Sequence, residues 1–161
     1  MEIGAAETAT SQIHELSLSR LIDVPKEKLY AAWTNAKLIE QWWCPRPWTT
    51  KNAIIDFRPG GSLSMMMHGP DGESVPCVGV FLEIVPNQKI VFTDAFSSAW
   101  VPSGKAFVVA TITFADEAGQ TRYNVVIHHW SDEDKKQHEA MGFEQGWNAA
   151  IDQLAEVARS L

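Results

Sequence analysis

The sequence predicts an α+β fold in which a curved antiparallel sheet of about six to seven strands lies on one long C-terminal helix. Three features predict this class. Residues 13–129 contain repeated short segments in which apolar and polar side chains alternate, as in half-buried strands. Two short helical segments follow the first of these, and residues 131–161 carry apolar side chains at helical spacing. A run of strands followed by a helix is typical of α+β domains with antiparallel sheets.

The start of the chain predicts a tail and then a strand. Residues 1–12 are small and polar, and we expect them to form a flexible N-terminus. The rest, residues 13–161, is expected to form a single domain with one core. Residues 13–24 alternate and predict the first strand. Arg20 falls on the apolar face of that strand, so its guanidinium must reach solvent or find a partner.

Two short helices are predicted after the first strand. Pro25 begins the first of them, at a position where its missing N–H is not needed. Either Thr34 or Asn35 caps the second, which ends near Trp42. Residues 44–48, with the sequence CPRPW, contain two prolines that exclude a helix there.

The following strands each present one apolar face and are separated by turns rich in glycine, proline and asparagine. Residues 95–105 interrupt the series as a long loop. The sheet is therefore expected to be covered on one side. The residues predicted to share its inner faces are Ala53, Ile55 and Phe57; Leu63, Met65 and Met67; Val78, Val80, Leu82 and Ile84; Ile90, Phe92 and Asp94; Val108, Ala110, Ile112 and Phe114; and Tyr123, Val125, Ile127 and His129.

Residues 131–161 predict one continuous amphipathic helix. Ser131 is its expected N-cap, and Asp134 occupies the capping-box position. Gly142 and Gly146 lie just beside the apolar stripe, where a strand could approach closely or a space could remain. The stripe consists of Phe143, Trp147, Ala150, Ile151, Leu154, Val157, Ala158 and Leu161.

Composition and charge exclude several classes of protein. The net charge is −7 and no cluster of Lys or Arg is present, which argues against a nucleic-acid partner. No apolar stretch could span a bilayer, and the N-terminus lacks the features of a signal peptide. We therefore expect a cytoplasmic protein with no membrane partner. Cys44 and Cys77 do not make a disulfide framework and are expected to be reduced.

Several short motifs together resemble one known fold family. They are RLIDVP at residues 20–25, AWT at 32–34, EQWW at 40–43, RPGG at 58–61, GVFLE at 79–83, VFTD at 91–94 and GW at 146–147. Their order and spacing, from about Leu16 to the C-terminus, resemble the START-like "helix-grip" superfamily, in its branch named after the activator of Hsp90 ATPase. Most members of that branch have glycine where this chain has Cys44, and the run WWCPRPW is similar to a bacterial subgroup.

The resemblance implies a fold and a kind of site. In this superfamily a curved antiparallel sheet wraps the long helix, and a cavity between them often holds an apolar small molecule. The same fold hosts carriers, cyclases, hydrolases and chaperone cofactors, so it does not determine an activity. The sequence contains no hydrolase, metalloprotease or phosphate-loop motif, and we expect no metal and no cofactor.

His129 and Asp94 are the candidate catalytic residues. His129 shares a strand face with apolar residues and should point inwards, whereas adjacent His128 should point outwards. One interpretation is a core histidine bonded to a backbone carbonyl or to Asp94. Another is a cavity histidine that orients a ligand or, paired with Asp94, acts as acid and base. Asp94 either points inwards or ends its strand in solvent. If it points inwards, Arg20 could neutralise it and make the group a structural network.

The predicted cavity lining combines aromatic and methionine side chains with these polar residues. Trp43, Trp48 and Trp100 are expected at its rim because they lie on loops or helix ends. Methionines at strand spacing suit a core or an adaptable pocket. The complete set of predicted ligand-binding residues is Trp43, Trp48, Met65, Met67, Phe92, Asp94, Trp100, Tyr123, Ile127, His129, Phe143 and Trp147.

Three functions are consistent with the sequence. The first is a binding protein for a small hydrophobic molecule, held in an apolar cavity between the sheet and the C-terminal helix. The second is an enzyme of the polyketide cyclase or hydrolase kind that uses His129 and Asp94. The third is a chaperone-interaction module, as the family name implies. Tryptophans in residues 44–48 and 95–105 could also seal a homodimer.

Overall fold

A computed structural model describes residues 13–161, and the predicted N-terminal tail, residues 1–12, lies outside the described residues. The α+β class is confirmed. In chain order the elements are β1 (His14–Ile22), α1 (Lys26–Ala31), α2 (Ala36–Ile39), β2 (Thr49–Ile55), β3 (Ser62–His68), β4 (Ser74–Val85), β5 (Lys89–Thr93), β6 (Phe96–Ser97), a 3-10 turn (Ser98–Trp100), β7 (Val101–Pro102), β8 (Val109–Glu117), β9 (Gln120–His129), α3 (Asp132–Ala140) and α4 (Phe143–Arg159).

Seven of the strands form one curved antiparallel sheet in the order β1-β9-β8-β5-β4-β3-β2. The first and second strands of the chain are thus the two edges of the sheet, and α1 and α2 carry the chain between them. Leu16 pairs with Ile127 and Leu18 with Val125, which brings the predicted apolar faces of β1 and β9 together. The loop over residues 95–105 contains a small ribbon, β6 with β7.

The two short helices are anchored by tryptophans. Asn35, one of the two predicted caps, accepts a hydrogen bond of 2.9 Å from the Leu38 N–H. Trp33 and Trp42 are both buried, with ring centroids 4.8 Å apart. The Trp42 indole donates a hydrogen bond of 3.0 Å to the Ala32 carbonyl, so the end of α1 and the turn after α2 are locked together.

The predicted single helix over residues 131–161 is wrong, because the structure breaks it into α3 and α4. Gly142 lies between them with φ 88°, in the left-handed region that glycine enters without steric strain. The predicted start is confirmed: the Ser131 side chain accepts a hydrogen bond of 3.1 Å from the Asp134 N–H. The break gives α3 a direction of its own, and it contacts β1, β9 and α4.

The core lies between the sheet and α4. Leu154 is 0% exposed and packs among buried residues of α1, α2 and the central strands, including Leu29, Ile39 and Ile112. Each large apolar side chain buried in this way contributes about 1.5–3 kcal/mol. Leu161, predicted on the apolar stripe, lies beyond α4 and is 45% exposed. Among residues 13–161, no helix is both long and apolar enough to cross a membrane.

Candidate functional site

A cavity of about 430 Å³ separates the first half of α4 from the sheet. Its size falls in the range of small-molecule sites in proteins. Its walls come from β3, β4 and β5, from the turn after α2, from the segment before β8, and from the α3–α4 junction. The lining residues are Trp42, Trp43, Pro45, Leu63, Met67, Cys77, Val78, Gly79, Phe92, Thr93, Asp94, Phe107, Val108, His138, Met141, Gly142, Phe143, Gly146, Trp147 and Ala150.

Small residues on α4 leave this space open. A Cβ atom added at Gly146 would meet no atom within 4 Å beyond its own stretch of helix. Phe143 and Trp147, one helical turn apart, stand beside it with ring centroids 6.2 Å apart. The sequence anticipated that a space could remain beside Gly146. On the α4 side, the cavity is therefore bounded by two aromatic rings with unfilled space beside them at Gly146.

The opposite wall is formed by the sheet and carries no activated thiol. Gly79 allows β4 and β5 to approach closely, because a Cβ there would collide with the Thr93 carbonyl oxygen.

Burial, with smaller contributions from Cys44 and Asp94, raises the pKa of the Cys77 thiol to about 11. Burial also raises the pKa of the Cys44 thiol. Both thiols are therefore protonated at neutral pH, and neither is poised as a nucleophile.

Gln153 fixes the segment that brings Trp43 to the cavity. Its amide is 6% exposed and donates to the carbonyls of Trp42 (3.1 Å) and Cys44 (2.7 Å). Its oxygen accepts a hydrogen bond of 2.9 Å from the Arg46 N–H. Sequence reasoning missed this residue. The available signal was a polar side chain beside Leu154, within the apolar part of the helix.

His129 and Asp94 do not form the predicted acid–base pair. His129 is 7% exposed, and its Nδ1 lies 2.7 Å from the Phe107 carbonyl oxygen. Asp94 Oδ1 accepts hydrogen bonds from the N–H groups of Phe107 (2.8 Å) and Val108 (3.0 Å). Both side chains thus hold the same stretch of backbone rather than each other. This matches the interpretation of His129 as a histidine bonded to a backbone carbonyl.

Arg20 does not neutralise Asp94, contrary to the alternative considered from the sequence. Its guanidinium pairs with Asp152 at 2.7 Å and donates to the Asn148 carbonyl at 3.1 Å. Both partners belong to α4. Arg20 therefore ties the edge strand β1 to the exposed side of that helix.

His138 is a second cavity-region residue that sequence reasoning missed. It lies on α3, lines the cavity, and its Nδ1 is 2.9 Å from His129 Nε2. Burial and the neighbouring His129 lower the pKa of His138 to about 4. On one straight helix His138 would lie well away from the stripe begun by Phe143. The break at Gly142 instead brings the two rings to 5.1 Å between centroids.

The remaining predicted residues fall into three groups. Trp43, Met67, Phe92, Asp94, Phe143 and Trp147 line the cavity together. Met65, Tyr123 and Ile127 are buried in the core, and His129 lies behind His138. Two tryptophans are elsewhere: Trp48 lines a separate surface groove, and the 50% exposed Trp100 lies over Gly60.

Comparisons with known proteins agree with this architecture. A family model described as "Activator of Hsp90 ATPase homolog 1-like protein" matches residues 23–159. A crystal structure of a protein from Nitrosomonas europaea is 31% identical with a TM-score of 0.87, over 91% of this chain and 94% of that one. No curated protein matches the chain.

Two more distant structures share the fold alone. A protein from Arthrobacter aurescens is 24% identical with a TM-score of 0.78, over 91% of this chain and 87% of that one. A protein from Mycobacterium smegmatis is 23% identical with a TM-score of 0.75, over 89% of each chain.

Proposed function

This chain belongs to the family of Activator of Hsp90 ATPase homolog 1-like proteins, and from that premise we propose that it is a cytoplasmic protein that binds a small, uncharged, apolar molecule. The proposed site is the cavity between the sheet and the first half of α4. The observation that carries the proposal is an aromatic and aliphatic lining around about 430 Å³ of space. Burying about 250 Å² of apolar ligand surface there would give roughly 6 kcal/mol before the costs of association.

The electrostatics of the lining favour a neutral ligand. Cys77 and His138 are both uncharged at neutral pH, because burial moves both pKa values away from neutrality. Asp94 uses one carboxylate oxygen to hold two backbone N–H groups. An anion would find no counter-charge in this lining and would face the Asp94 carboxylate, so an anionic ligand would be poorly accommodated.

The structure gives less support to the other two functions. The cyclase or hydrolase alternative required His129 and Asp94 to meet in one open cavity. Instead both His129 nitrogens have partners, the Phe107 carbonyl and His138. The chaperone-interaction alternative rests on the family name alone. Ligand binding is therefore the function that the geometry favours.

Native mass spectrometry of freshly purified protein tests the proposal. We expect a small neutral molecule in the native spectrum that is lost on denaturation, and we expect far less of it on the Gly146→Leu variant. That variant fills the space that Gly146 leaves open. Equal loading of both proteins would contradict the proposed site. So would a wild-type protein that carries no molecule and takes up none of a panel of neutral aromatic and aliphatic compounds.

A further inference from the structure

We propose that this cavity selects apolar ligands that carry a hydrogen-bond donor, such as a hydroxyl group, and that His138 Nε2 is the acceptor for it. His129 is the positioning residue that sets the tautomer of His138. The inference rests on the proposed function, because it names the chemistry recognised by the same cavity. It follows from a chain of hydrogen bonds that runs from the backbone of Phe107 to the cavity wall.

The first link fixes the proton on His129. A backbone carbonyl can only accept a hydrogen bond, so the nitrogen 2.7 Å from the Phe107 oxygen must carry the proton. That nitrogen is Nδ1. The Phe107 carbonyl is itself held in place, because Asp94 binds the N–H groups of Phe107 and Val108. The tautomer of His129 is thus determined by rigid backbone rather than by a mobile side chain.

The second link is that the tautomer of His129 determines the tautomer of His138. His129 is 7% exposed, and its two partners are a carbonyl and an imidazole. A neutral His129 with its proton on Nδ1 has a bare lone pair on Nε2. His138 Nδ1 lies 2.9 Å from that lone pair and must therefore donate to it.

The third link leaves a free acceptor on the cavity wall. Burial and His129 lower the pKa of His138 to about 4, so at neutral pH its ring has one proton, on Nδ1. Its Nε2 then carries a lone pair, and none of residues 13–161 hydrogen-bonds to that atom. The two ring nitrogens diverge, and Nδ1 is turned to His129 behind the wall. Nε2 is the polar atom that the ring offers to the cavity.

The surroundings of His138 make this acceptor selective. Its ring lies against the aromatic rings of Phe107 and Phe143, with centroids 5.5 Å and 5.1 Å away. Apolar rings therefore flank the His138 imidazole on two sides. A ligand donor placed there would satisfy an otherwise unpaired acceptor in apolar surroundings, which is where a hydrogen bond discriminates best between similar ligands.

The tautomers can be measured directly without any variant. Long-range ¹H–¹⁵N correlation spectra of histidine-labelled protein distinguish a protonated from a bare ring nitrogen. At pH 7 we expect both His129 and His138 to carry the proton on Nδ1. A His138 with its proton on Nε2, or a positively charged His129, would overturn the proposal.

Ligand discrimination is tested with two compounds of nearly equal size, 2-naphthol and 2-methylnaphthalene. Titration calorimetry gives the ratio of their dissociation constants for the wild type and for His138→Phe. We expect the variant to shift this ratio about tenfold against the naphthol, because only the naphthol loses a hydrogen bond. The control is His128→Phe, the same change on the opposite face of β9, where the side chain faces Glu15; its ratio should equal that of the wild type.

The outcomes separate the two proposals. If both compounds bind and the ratio is the same in the wild type and His138→Phe, the donor-selective site is refuted and the apolar cavity stands. If neither compound binds the wild type, both proposals are contradicted. An Nδ1–H tautomer on both histidines together with the ratio shift would support the proposed role of His138.

Discussion

The two halves of α4 face the same sheet but do different things. In the second half, Ile151, Leu154 and Ala158 are buried against α1, α2 and the strands, and the space is filled. In the first half, Gly146 and Ala150 face about 430 Å³ of open volume. One helix therefore stabilises the fold with one half and forms the wall of a cavity with the other.

The difference shows that the missing side chain at Gly146 gives the first half of the helix a role that the second half does not have. Close packing lets the filled half lock the helix to the sheet. The first half can therefore lack such close contacts with the sheet while the domain stays folded. Substitutions in the two halves should consequently separate stability from binding, and the following four predictions run from the largest expected change in stability to the smallest.

Leu154→Ala should have the largest effect, because Leu154 is fully buried in the filled half. We expect the free energy of unfolding to fall by about 2–5 kcal/mol, as the substitution removes apolar contacts and leaves a void. Urea denaturation followed by tryptophan fluorescence measures it. The exposed Arg159→Ala on the same helix is the control and should change stability by less than about 0.5 kcal/mol. Similar losses in both variants would contradict the filled half as the stabilising one.

Gln153→Leu tests the link between the two halves. The substitution leaves the carbonyls of Trp42 and Cys44 without the Gln153 donor, so we expect a loss of about 1–3 kcal/mol. Ligand affinity should also fall, because the same contacts hold Trp43 at the cavity wall. Thermal unfolding and titration calorimetry measure the two effects. The matched control is Gln145→Leu, whose side chain is exposed; a loss of the same size there would rule out a specific role for Gln153.

Part of the pH dependence of folding stability should come from His138, which lies on α3 at the cavity wall. The pKa of His138 falls from 6.5 in its ordinary state to about 4 in the folded protein. Between these values the unfolded chain binds more protons, so folding stability decreases as the pH drops from about 6.5 to about 4. Because the ring is partly exposed, the loss should be on the order of 1 kcal/mol. Denaturation at pH 7 and pH 4.5 should show a smaller pH effect in His138→Phe than in the wild type; equal effects would count against this assignment.

Gly146→Leu should separate ligand binding from stability most clearly, since it alters binding while preserving the fold. The added side chain enters open space, and replacing glycine inside a helix stabilises it by about 0.5–1 kcal/mol. We expect a slightly higher midpoint of thermal unfolding together with loss of affinity for 2-methylnaphthalene. An unchanged affinity would place the ligand outside the cavity.

Much of the fold could be predicted because its signals are local. Alternation along most strands, the turns between strands and the Ser131 cap each depend on a few neighbouring residues, and the structure confirms them. On β4 the predicted inner face is wrong: Cys77, Gly79 and Phe81 face the core, Val78 is 47% exposed, and the register shifts between Phe81 and Glu83, which alternation alone does not reveal. The break at Gly142 could not be recognised from periodicity, because glycine is tolerated within a helix and only the fold decides its φ angle.

The site was harder to predict because its contacts join distant parts of the chain. The sequence left open whether Asp94 points inwards or ends its strand in solvent; it lines the cavity, and its partners are backbone groups of Phe107 and Val108, which no side-chain pattern reveals. His138 meets His129 only because α3 and α4 are separate helices. Gln153 likewise binds a segment more than one hundred residues away.

Methyl NMR of methionine-labelled protein tests most directly whether the open half is a working site. Met67 and Met141 line the cavity, whereas Met66 alternates to the other face of β3. On addition of 2-methylnaphthalene we expect ring-current shifts at Met67 and Met141 and none at Met66. Unchanged resonances at Met67 and Met141 with excess compound would show that the space beside Gly146 does not take up an apolar ligand.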